Sequence, residues 1–571
     1  MHYSELSDIY EELEKNGSRL KKADIIAGIL KKAPSKTLPK IVLMLTGRVY
    51  PQWSPYEIGI ADQMAIRAIA KAAGVTEEKV NEKYKKIGDL GTSAEELIGS
   101  KKQATLKKKT LDIDDVFDNL QKLATLTGEG SQEKKVSLVV ELLSHAHPKE
   151  ARYIIRTLLG QLRVGVAEGI VRDAISKAFD IDVDKLEAAW FVYPDYGFIA
   201  EHVKEHGEQG LKEVKVELGV PLMVQLAEKS PDLKTALESF KHLVLEYKYD
   251  GARIIAHKKG DKFWLYTRRL EDVTKAFPDV VEFCKKAVNA KNCIIEGEAI
   301  GIDRKSGKPL PFQKLSQRIK RKHKIENATK EIPVDFRVFD VIYLDGKSTF
   351  DKTLEERFEI LKKILKPIPG KIEFADRLVT NDLKEAEKFY KQALADGQEG
   401  LIVKNLDASY SPGRRVAGGW LKVKPTMENL DLVVVGGVWG TGKRGGFLGS
   451  LVLGARDPDS GKFLECGMMG SGFKEKETEG GVTLDEMSKL LKPLIISEHS
   501  GTVKIKPKVV IEIAYEEIQK SSTYNSGYAL RFPRIIRIRN DKGAEEADTL
   551  DRIKALSKIQ KGRSPKETKE K

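Results

Sequence analysis

The stretch "LVLEYKYDGARIIAH", residues 243–257, carries ionisable side chains within a strand pattern. Apolar or aromatic residues alternate there with Glu246, Lys248 and Asp250. This period of two predicts a half-buried strand with one apolar face and one face of reactive groups. Gly251 interrupts the alternation and the next residues are again extended in character, so we predict a hairpin that turns at Asp250-Gly251. Lys248 then stands just before the turn.

The chain is too long for a single hydrophobic core, and its 571 residues predict about three domains. The hydrophobic content of 41% is typical of a globular protein, and no apolar run approaches the length of a membrane span. The N-terminal stretch "MHYSELSDIYEELEKN" is acidic, whereas a signal peptide begins with basic residues and continues with apolar ones. We therefore expect a soluble, cytoplasmic protein without a membrane segment.

The net charge of +14 and the sequence pI near 9.2 favour a polyanionic partner. The alternative is that a surface with 32% charged residues, rich in Lys and Glu, only keeps the protein in solution, as in proteins from hot habitats. The cysteines Cys284, Cys293 and Cys466 have neither the spacing of metal ligands nor the even number of a disulfide framework. This argues against structural zinc.

Residues 1–215 are predicted to form a helical domain. In "ARYIIRTLLGQLRVGVAEGIVRDAISKAF", residues 151–179, apolar residues recur at i+4 spacing in two runs that meet near Arg163-Val164-Gly165. The segment "TSAEEL" at 92–97 offers two alternative capping boxes for a helix start. The polar run 204–217 is predicted to be a linker or a solvated connection.

Two further domains and a tail follow. Residues 216–426 alternate strand patterns such as "NCIIEGEAIGI" and "DFRVFDVIYLDG" with the helical "LEERFEILKKIL", which predicts an α+β domain. Residues 427–558 are strand after strand joined by glycine-rich turns, which predicts a small β-barrel. The basic, low-complexity residues 559–571 are predicted to be disordered.

The glycine-rich segment "GVWGTGKRGG", residues 437–446, resembles two phosphate-binding motifs without satisfying either. Both a dinucleotide fingerprint and a P-loop need a helix to follow, so that its N-terminus can face phosphate. Here a strand pattern follows, and Arg444 stands where a P-loop needs Ser or Thr to hold Mg²⁺. We predict a hairpin turn, which argues against a P-loop ATPase or helicase.

The reactive face of 243–257 raises the question of how a lysine could act. A lysine amine is a nucleophile only when neutral, so a nearby cation or desolvation must lower its pKa. Neighbouring acids do the opposite, and taken alone this strand favours an exposed ladder of ion pairs. Glu296 and Glu298 on one strand face, with Glu399, could hold a Mg²⁺ that bridges phosphates and supplies the missing positive charge. Cations suited to gripping a polyphosphate stand at strand ends: Arg253, Arg268, Lys404, Lys422, Lys424, Arg531 and Arg534.

Seven motifs occur in order: "KYDGAR" at 248–253, "YTRRLEDVT" at 266–274, "IIEGEAI" at 294–300, "FRVFDVIYLDG" at 336–346, "EGLIVK" at 399–404, "WLKVK" at 420–424 and "LRFPRIIRIRNDK" at 530–542. This ordered set resembles that of covalent nucleotidyltransferases. The spacing and the helical N-terminal region most resemble an archaeal or eukaryotic-type ATP-dependent DNA ligase, up to about residue 555. The resemblance implies a multidomain chain: an all-α N-terminal DNA-binding domain at 1–215, an α+β nucleotidyltransferase (adenylation) domain at 216–426 and a C-terminal OB-fold β-barrel at 427–558.

The resemblance also implies a role for each motif residue. Lys248 would attack the α-phosphorus of ATP, release pyrophosphate and keep AMP on its Nζ. Glu246 would read the adenine amino edge, Asp250 would position the lysine and the turn, and Phe339 would stack on the purine. Glu298 would hold ribose or metal. The phosphate and metal groups would be held by the remaining residues: Glu399 on the divalent ion, Arg253 and Arg268 on sugar and phosphate, Lys422 and Lys424 on the α-phosphate, and Arg531 and Arg534 on the pyrophosphate.

The implied reaction continues with transfer of AMP to the 5′-phosphate of a nick, after which the 3′-OH attacks that phosphorus and expels AMP. The implied cofactors are ATP and Mg²⁺, with Mn²⁺ as an alternative, and the partner is nicked double-stranded DNA bound through phosphates and groove shape. We expect a monomer whose barrel swings about a hinge between Pro425 and Asp431. The stretch "KKQATLKKK" around Gln103 faintly resembles a sliding-clamp peptide but lacks its aromatic residues, which favours a charged loop.

Rival functions remain at the level of sequence. A capping-type nucleotidyltransferase or RNA ligase would share "KYDG", and a non-catalytic nucleic-acid-binding scaffold would share the basic charge. An NAD-dependent ligase would carry a four-cysteine zinc site that three scattered cysteines cannot supply. Two segments depart from the ligase pattern: Met223-Val224-Gln225 replaces an Arg-Pro-Met type, and "SPGRRVAGGW" at 411–420 is one residue longer than usual. We therefore assign no AMP contact to Arg414 or Arg415.

Overall fold

A computed structural model describes residues 1–559 except 101–108, 304, 311, 321–328, 330, 414–417, 426, 441–443, 475–480 and 500. Within the described part of the first 215 residues there are helices and no strand. The helices are Tyr3–Lys15 (α1), Arg19–Lys32 (α2), Leu38–Leu45 (α3), Asp62–Ala73 (α4), Glu77–Ile87 (α5), Leu90–Gly99 (α6), Ile113–Thr125 (α7), Ser131–His145 (α8), Pro148–Leu158 (α9), Glu168–Phe179 (α10), Val183–Val192 (α11) and Tyr196–His206 (α12). The predicted helical domain is confirmed. The sequence motifs around Gln103, Arg414 and Arg415, and the predicted disordered tail after residue 559, lie outside the described residues.

The two predicted apolar runs form α9 and α10. Helix α9 packs on α6 and α10 packs on α2, while Leu162 and Val166 of the two runs lie in the connection between the helices. Between them, Arg163 and Gly165 both adopt positive φ angles, 62° and 63°, which no helix can continue through. The predicted break near residue 164 is therefore confirmed.

The start of α6 differs from the prediction. The helix begins at Leu90, and Asp89 caps it by accepting a hydrogen bond from the backbone N of Thr92 at 3.0 Å. Both predicted capping boxes in 92–97 are wrong because these residues lie within the helix. An Asp three residues earlier caps as well as Thr or Ser, and Leu90 is buried, so the earlier start adds packing.

The polar run 204–217 is more regular than the linker predicted for it. Helix α12 continues to His206, and the 3₁₀ helix Gly207–Glu213 follows. Gly210 is buried against α12, where an added Cβ would lie 2.3 Å from the carbonyl oxygen of His202. Close packing, rather than polarity, therefore sets the conformation of this segment.

The second region contains two sheets. Its elements are Glu228–Lys229 (β1), Leu233–Glu238 (α13), Leu243–Lys248 (β2), Ala252–Lys259 (β3), Lys262–Thr267 (β4), Pro278–Ala287 (α14), Asn292–Gly301 (β5), Phe312–Lys320 (α15), Val334–Leu344 (β6), Lys347–Ser348 (β7), Leu354–Ile364 (α16), Ile372–Phe374 (β8), Arg377–Leu378 (β9), Leu383–Ala395 (α17), Gly400–Asn405 (β10) and Trp420–Val423 (β11). One sheet has the order β1-β11-β10-β2-β9, and the other has the order β4-β3-β5-β6-β7 with β8 beside β6.

The predicted hairpin at Asp250-Gly251 is wrong. Strand β2 lies in the first sheet and β3 in the second, so the chain crosses between sheets at Gly251. The crossing is tight, since a Cβ on Gly251 would lie 2.5 Å from the carbonyl oxygen of Ala299 and 2.8 Å from Cγ of Glu298. A strand, a glycine turn and a second strand give the same local pattern whether or not the strands pair.

The half-buried character predicted for β2 is also wrong, because residues 243–246 are all buried. Leu243 and Leu245 pack in a cluster with Ala386 and Ala393 of α17. The other face of β2 bears Val244 and then the ionisable groups, so the polar side chains there are enclosed too. A strand covered on both faces hides its polar residues only where each has a partner.

The third region is β-rich. Its elements are Leu430–Trp439 (β12), Leu448–Arg456 (β13), Phe463–Met469 (β14), Leu484–Leu491 (α18), Ile495–His499 (β15), Thr502–Ile505 (β16), Val510–Ala514 (β17), Glu517–Lys520 (β18), Tyr528–Arg531 (β19), Arg534–Ile538 (β20) and Leu550–Ile559 (α19).

Strand β12 pairs with β13, β16 and β17, while β13 pairs with β14 and β17 pairs with β20. A bridge between Ser471 and Arg534 joins the end of β14 to β20 and closes the ring, which is the predicted barrel. Antiparallel β12 and β13 flank the glycine-rich segment, and no helix follows it, as predicted. None of the described helices combines the length and apolar character needed to cross a membrane.

Candidate active site

Three neighbouring strands bring Lys248, Glu399 and Lys424 together. Strand β10 lies between β2 and β11, with Gly400 opposite Lys248 and Leu401 opposite Val423. The residues flanking these pairs therefore meet at one sheet end. Oε2 of Glu399 contacts Nζ of Lys248 at 2.8 Å and Nζ of Lys424 at 2.6 Å. A single carboxylate oxygen thus holds two lysines.

Burial and neighbouring charges act in opposite directions on the pKa values of Glu399 and Lys248. Burial alone would raise the pKa of Glu399, but Lys248 and Lys424 lower it to about 2. Burial likewise disfavours the charged form of Lys248, yet the carboxylates of Glu399, Glu298 and Asp250 outweigh it and raise its pKa. In this state Lys248 is an ammonium group, as expected for a lysine beside acids.

Glu298 and Asp250 complete the surroundings of Lys248 from the second sheet and from the crossing. Burial raises the pKa of Glu298 to about 7, against the attraction of Lys248 and Arg253. The backbone N of Asp250 donates to Oε1 of Gln398 at 3.3 Å, and its Oδ2 accepts from the backbone N of Phe312 at 3.4 Å. Gln398 therefore ties the turn after Lys248 to the segment that carries Glu399.

Glu246 is more deeply buried than Lys248, since it is 3% exposed. Its Oε2 lies 2.5 Å from Nζ of Lys404, which is itself 1% exposed. Nζ of Lys404 also lies 4.4 Å from the ring centroid of Phe339 and 4.3 Å from that of Trp420. The two rings meet edge to face at 6.0 Å. The packed region between the sheets thus combines two aromatic rings with a buried ion pair.

Arg253 lies beside the same two rings. Its guanidinium carbon is 5.3 Å from the ring centroid of Phe339 and 5.2 Å from that of Trp420. Its Nη2 donates to Oε2 of Glu296 at 2.8 Å and its Nη1 to the carbonyl oxygen of Gln225 at 2.8 Å. Glu296 is completely buried and pairs with Arg253, so its carboxylate is not open to a metal. The expectation that Glu296 shares metal binding with Glu298 is wrong.

The predicted phosphate-binding side chains differ in their exposure and in whether they border the cleft beside Glu399. Lys422 is half-buried on the face of β11 that Trp420 and Lys424 share. Arg531, on the barrel, borders a cleft together with Asp250, Glu399 and Lys424, and its Nη1 donates to Oε2 of Glu517 at 3.3 Å. Arg268 lies in the exposed turn after β4 and Arg534 is exposed at the start of β20. Neither is among the described residues that line this cleft.

Comparisons with known proteins cover all three regions. Models of the DNA ligase N terminus, the ATP dependent DNA ligase domain and the ATP dependent DNA ligase C terminal region match residues 2–176, 224–424 and 444–542. The DNA ligase of Nanoarchaeum equitans is 45% identical over 564 residues, which cover 98% of this chain and 99% of that one. The chain belongs to the ATP-dependent DNA ligase family.

Other relatives of this ligase agree. The DNA ligase of Thermococcus onnurineus is 42% identical over 561 residues, 98% of each chain. A solved structure titled "Pmar-Lig_Pre." shares the fold with a TM-score of 0.54 at 18% identity, covering 94% of this chain and 99% of that one. The comparisons do not favour an RNA ligase, a capping enzyme or a non-catalytic scaffold.

ATP-dependent DNA ligases use ATP and a divalent metal, and the residues around Lys248 suit such a metal. Within the described part of the chain, no group of three or more His, Cys, Asp or Glu could hold a metal alone. Glu298 and Glu399 nevertheless place two carboxylates beside Lys248. A cation would favour the charged form of Glu298, whose pKa burial raises to about 7. This set matches a metal that keeps one or two carboxylates and takes its other ligands from phosphate.

Sequence reasoning missed three residues of this site and gave a fourth the wrong role. Gln225, Tyr410 and Gln398 are buried polar residues that make its hydrogen bonds, and Glu296 has a structural partner in place of a ligand. The only sequence signals were weak: Gln225 marked a departure from the ligase pattern, and Gln398 precedes Glu399. Tyr410 carried no signal of its own.

Proposed function

We propose that Lys248 is the nucleophile of this ligase and that its reactivity is switched by the charge on Glu399. The observation that carries the proposal is the shared contact of Lys248 and Lys424 with one oxygen of Glu399. While that carboxylate is free, it holds Lys248 protonated. If a cation neutralises it, the burial of Lys248 favours the neutral amine.

The first step then balances simply. The neutral Nζ attacks the α-phosphorus of ATP and gives one proton to solvent as the N–P bond forms, the bond to the bridging oxygen breaks and pyrophosphate leaves. Glu298 and Glu399 would hold a divalent metal, which would supply positive charge beside Lys248, and we propose Mg²⁺, with Mn²⁺ as a substitute. Lys424 and Lys422 would face the α-phosphate from β11. Arg531 would orient the pyrophosphate from the barrel side of the cleft, with Arg534 nearby on β20.

The adenosine would occupy the pocket between the two sheets. Phe339 would stack on the purine, and Glu246 would accept from the adenine amino group while Lys404 holds its carboxylate in place. Arg253 and Arg268 would contact sugar and phosphate, and Asp250 would keep the crossing that presents Lys248. Phe339, Glu246 and Arg253 lie together between the two sheets, whereas the role of Arg268 rests on its motif alone, since it lies in the exposed turn after β4.

The domain boundaries that we propose are 1–215 for DNA binding, 216–426 for adenylation and 427–558 for the OB-fold. The helical and barrel domains would enclose nicked duplex DNA from two sides, with the adenylation domain between them. Since Arg531 serves only the first step, the barrel would swing away about the segment 425–431 before sealing. We propose that the ligase acts as a monomer, and that the segment around Gln103 is a candidate for clamp contact.

The test uses α-labelled ATP with Mg²⁺ and the full chain, beside Lys248→Ala. Denatured protein should retain label only when Lys248 is present, and nicked duplex DNA should then discharge it as the nicks are sealed. Label that nicked DNA cannot discharge would point to another acceptor, such as RNA. Absence of label, with release of γ-phosphate instead, would overturn the proposal.

A further inference from the structure

Arg253 is part of a closed ring of buried hydrogen bonds. The hydroxyl of Tyr410 donates to Oε1 of Glu296 at 3.0 Å and accepts from the backbone N of Gln225 at 3.0 Å. Oε2 of Glu296 accepts from Arg253, which in turn donates to the carbonyl oxygen of Gln225. Four residues from four separate chain segments thus form one cycle.

The ring is buried and has few alternatives. Tyr410 is 3% exposed, Gln225 is 1% exposed and Glu296 is fully buried. Removing one hydroxyl would leave two buried groups without a partner, the backbone N of Gln225 and an oxygen of Glu296, and each is costly to leave unpaired. The aromatic side chain of Tyr410 stacks on that of Phe350, with ring centroids 5.6 Å apart, and this contact does not involve the hydroxyl. Tyr410→Phe therefore removes the hydrogen bonds while keeping the packing.

The ring also restrains the approach to β11. The side-chain Oε1 of Gln225 accepts from the backbone N of Ser411 at 2.9 Å, at the start of the segment that leads to Trp420. Methionine, the residue type of the usual ligase pattern at this position, could not accept that bond. Gln225 therefore joins the guanidinium of Arg253 to the segment that precedes Lys422.

We propose that Tyr410 and Glu296, with the backbone of Gln225, are positioning residues that set the orientation of Arg253 toward the bound nucleotide. None of the three needs to touch ATP. The inference rests on the proposed role of Arg253 at the sugar and phosphate. Its consequence is that Tyr410 affects the first step only through Arg253.

The test measures formation of lysyl-AMP by Tyr410→Phe, Arg253→Lys and the double variant, as kcat and KM for ATP. We expect Tyr410→Phe to lower kcat/KM by about 10- to 100-fold, chiefly through KM, since a buried hydrogen-bonded pair is lost at a binding group. The double variant should be no worse than Arg253→Lys alone, because a residue acting through another is not additive with it. Gln225→Met keeps the backbone groups of the ring and should cost less than Tyr410→Phe.

The control is Tyr153→Phe, which removes a buried hydroxyl that donates to Glu14 at 3.1 Å in the helical region. It should stay within about twofold of wild type, as expected away from the site. A Tyr410→Phe protein that matches this control, or losses that multiply in the double variant, would overturn the inference. If Tyr410→Phe does not fold, Glu296→Gln makes the same comparison with Arg253→Lys. Failure of the wild type to form lysyl-AMP would instead refute the proposed function.

Discussion

Glu399→Gln offers the sharpest test of how Lys248 is controlled. Glutamine keeps the shape of the side chain but removes the charge that Lys248 and Lys424 share. With that charge gone, burial and the remaining carboxylates alone act on Lys248. The substitution should therefore lower the pKa of Lys248 in protein free of ATP and metal.

The strength of the attraction between Glu399 and the two lysines follows from the pKa of Glu399. The pKa of Glu399 falls from 4.5 to about 2, which corresponds to about 3 kcal/mol of net attraction at 1.36 kcal/mol per pH unit. The side chains are mostly enclosed, with Lys248 24% and Glu399 22% exposed, so solvent screens the pair only partly. Lys248 and Lys424 both draw on this attraction, so Lys248 loses part of it in Glu399→Gln and its pKa falls.

The assay follows the reaction of the Lys248 amine with an amine-selective acylating reagent across pH, read by mass spectrometry of the peptide that contains it. The midpoint of reactivity should move to lower pH in Glu399→Gln. Glu517→Gln is the matched control, because it removes a carboxylate that borders the same cleft but pairs with Arg531. An unchanged or higher midpoint in Glu399→Gln would refute the reasoning.

Further predictions concern the second sheet, the crossing and the barrel. Burial raises the folded-state pKa of Glu298 to about 7, so the stability that its protonated form contributes below pH 4.5 is lost as the pH rises through 7. Glu298→Gln should therefore gain about 3 kcal/mol in unfolding free energy, and with it Tm, relative to wild type at pH 8 but not at pH 4. Gly251→Ala should cost about 2–4 kcal/mol in denaturant unfolding, since its Cβ would lie 2.5 Å from a backbone oxygen, whereas Gly17→Ala, with open space around it, should be near neutral; equal effects would contradict the close approach. Arg531→Ala should slow lysyl-AMP formation by about 100-fold or more yet seal pre-adenylated nicks at a near-normal rate, and a loss in both steps would argue against a role confined to pyrophosphate.

The sequence allowed the three regions and several of their strands to be predicted because each region has its own periodicity and turn residues. It could not show that β2 and β3 belong to different sheets, because local alternation carries no information about which strand lies alongside. It also misjudged burial on β2: ionisable residues indicate a solvent face unless their partners are known. The partner of Glu246 is Lys404, 158 positions later in the chain.

The motif residues were a better guide to the site than spacing was. Lys248, Glu399 and Lys424 stand in three separate motifs, and the sheet register places them within ion-pair distance. Glu296 and Glu298 share a motif and one face of β5, yet their surroundings differ, and the register shift beside Glu296 lies on β6, where Phe339 is the extra residue. One carboxylate is enclosed with Arg253 while the other lies near Lys248. No pattern in the sequence predicts that irregularity.

The crossing at Gly251 means that the lysine and the carboxylate of Glu298 belong to two layers joined by one residue without a side chain. The distance between them is therefore a property of how the layers are seated on each other, and neither layer alone can assemble the reactive pair. Local unfolding of either sheet would abolish adenylation of the lysine before the whole domain unfolds. For an enzyme whose first intermediate is covalent, this arrangement makes correct assembly of the whole domain a condition for charging it with AMP.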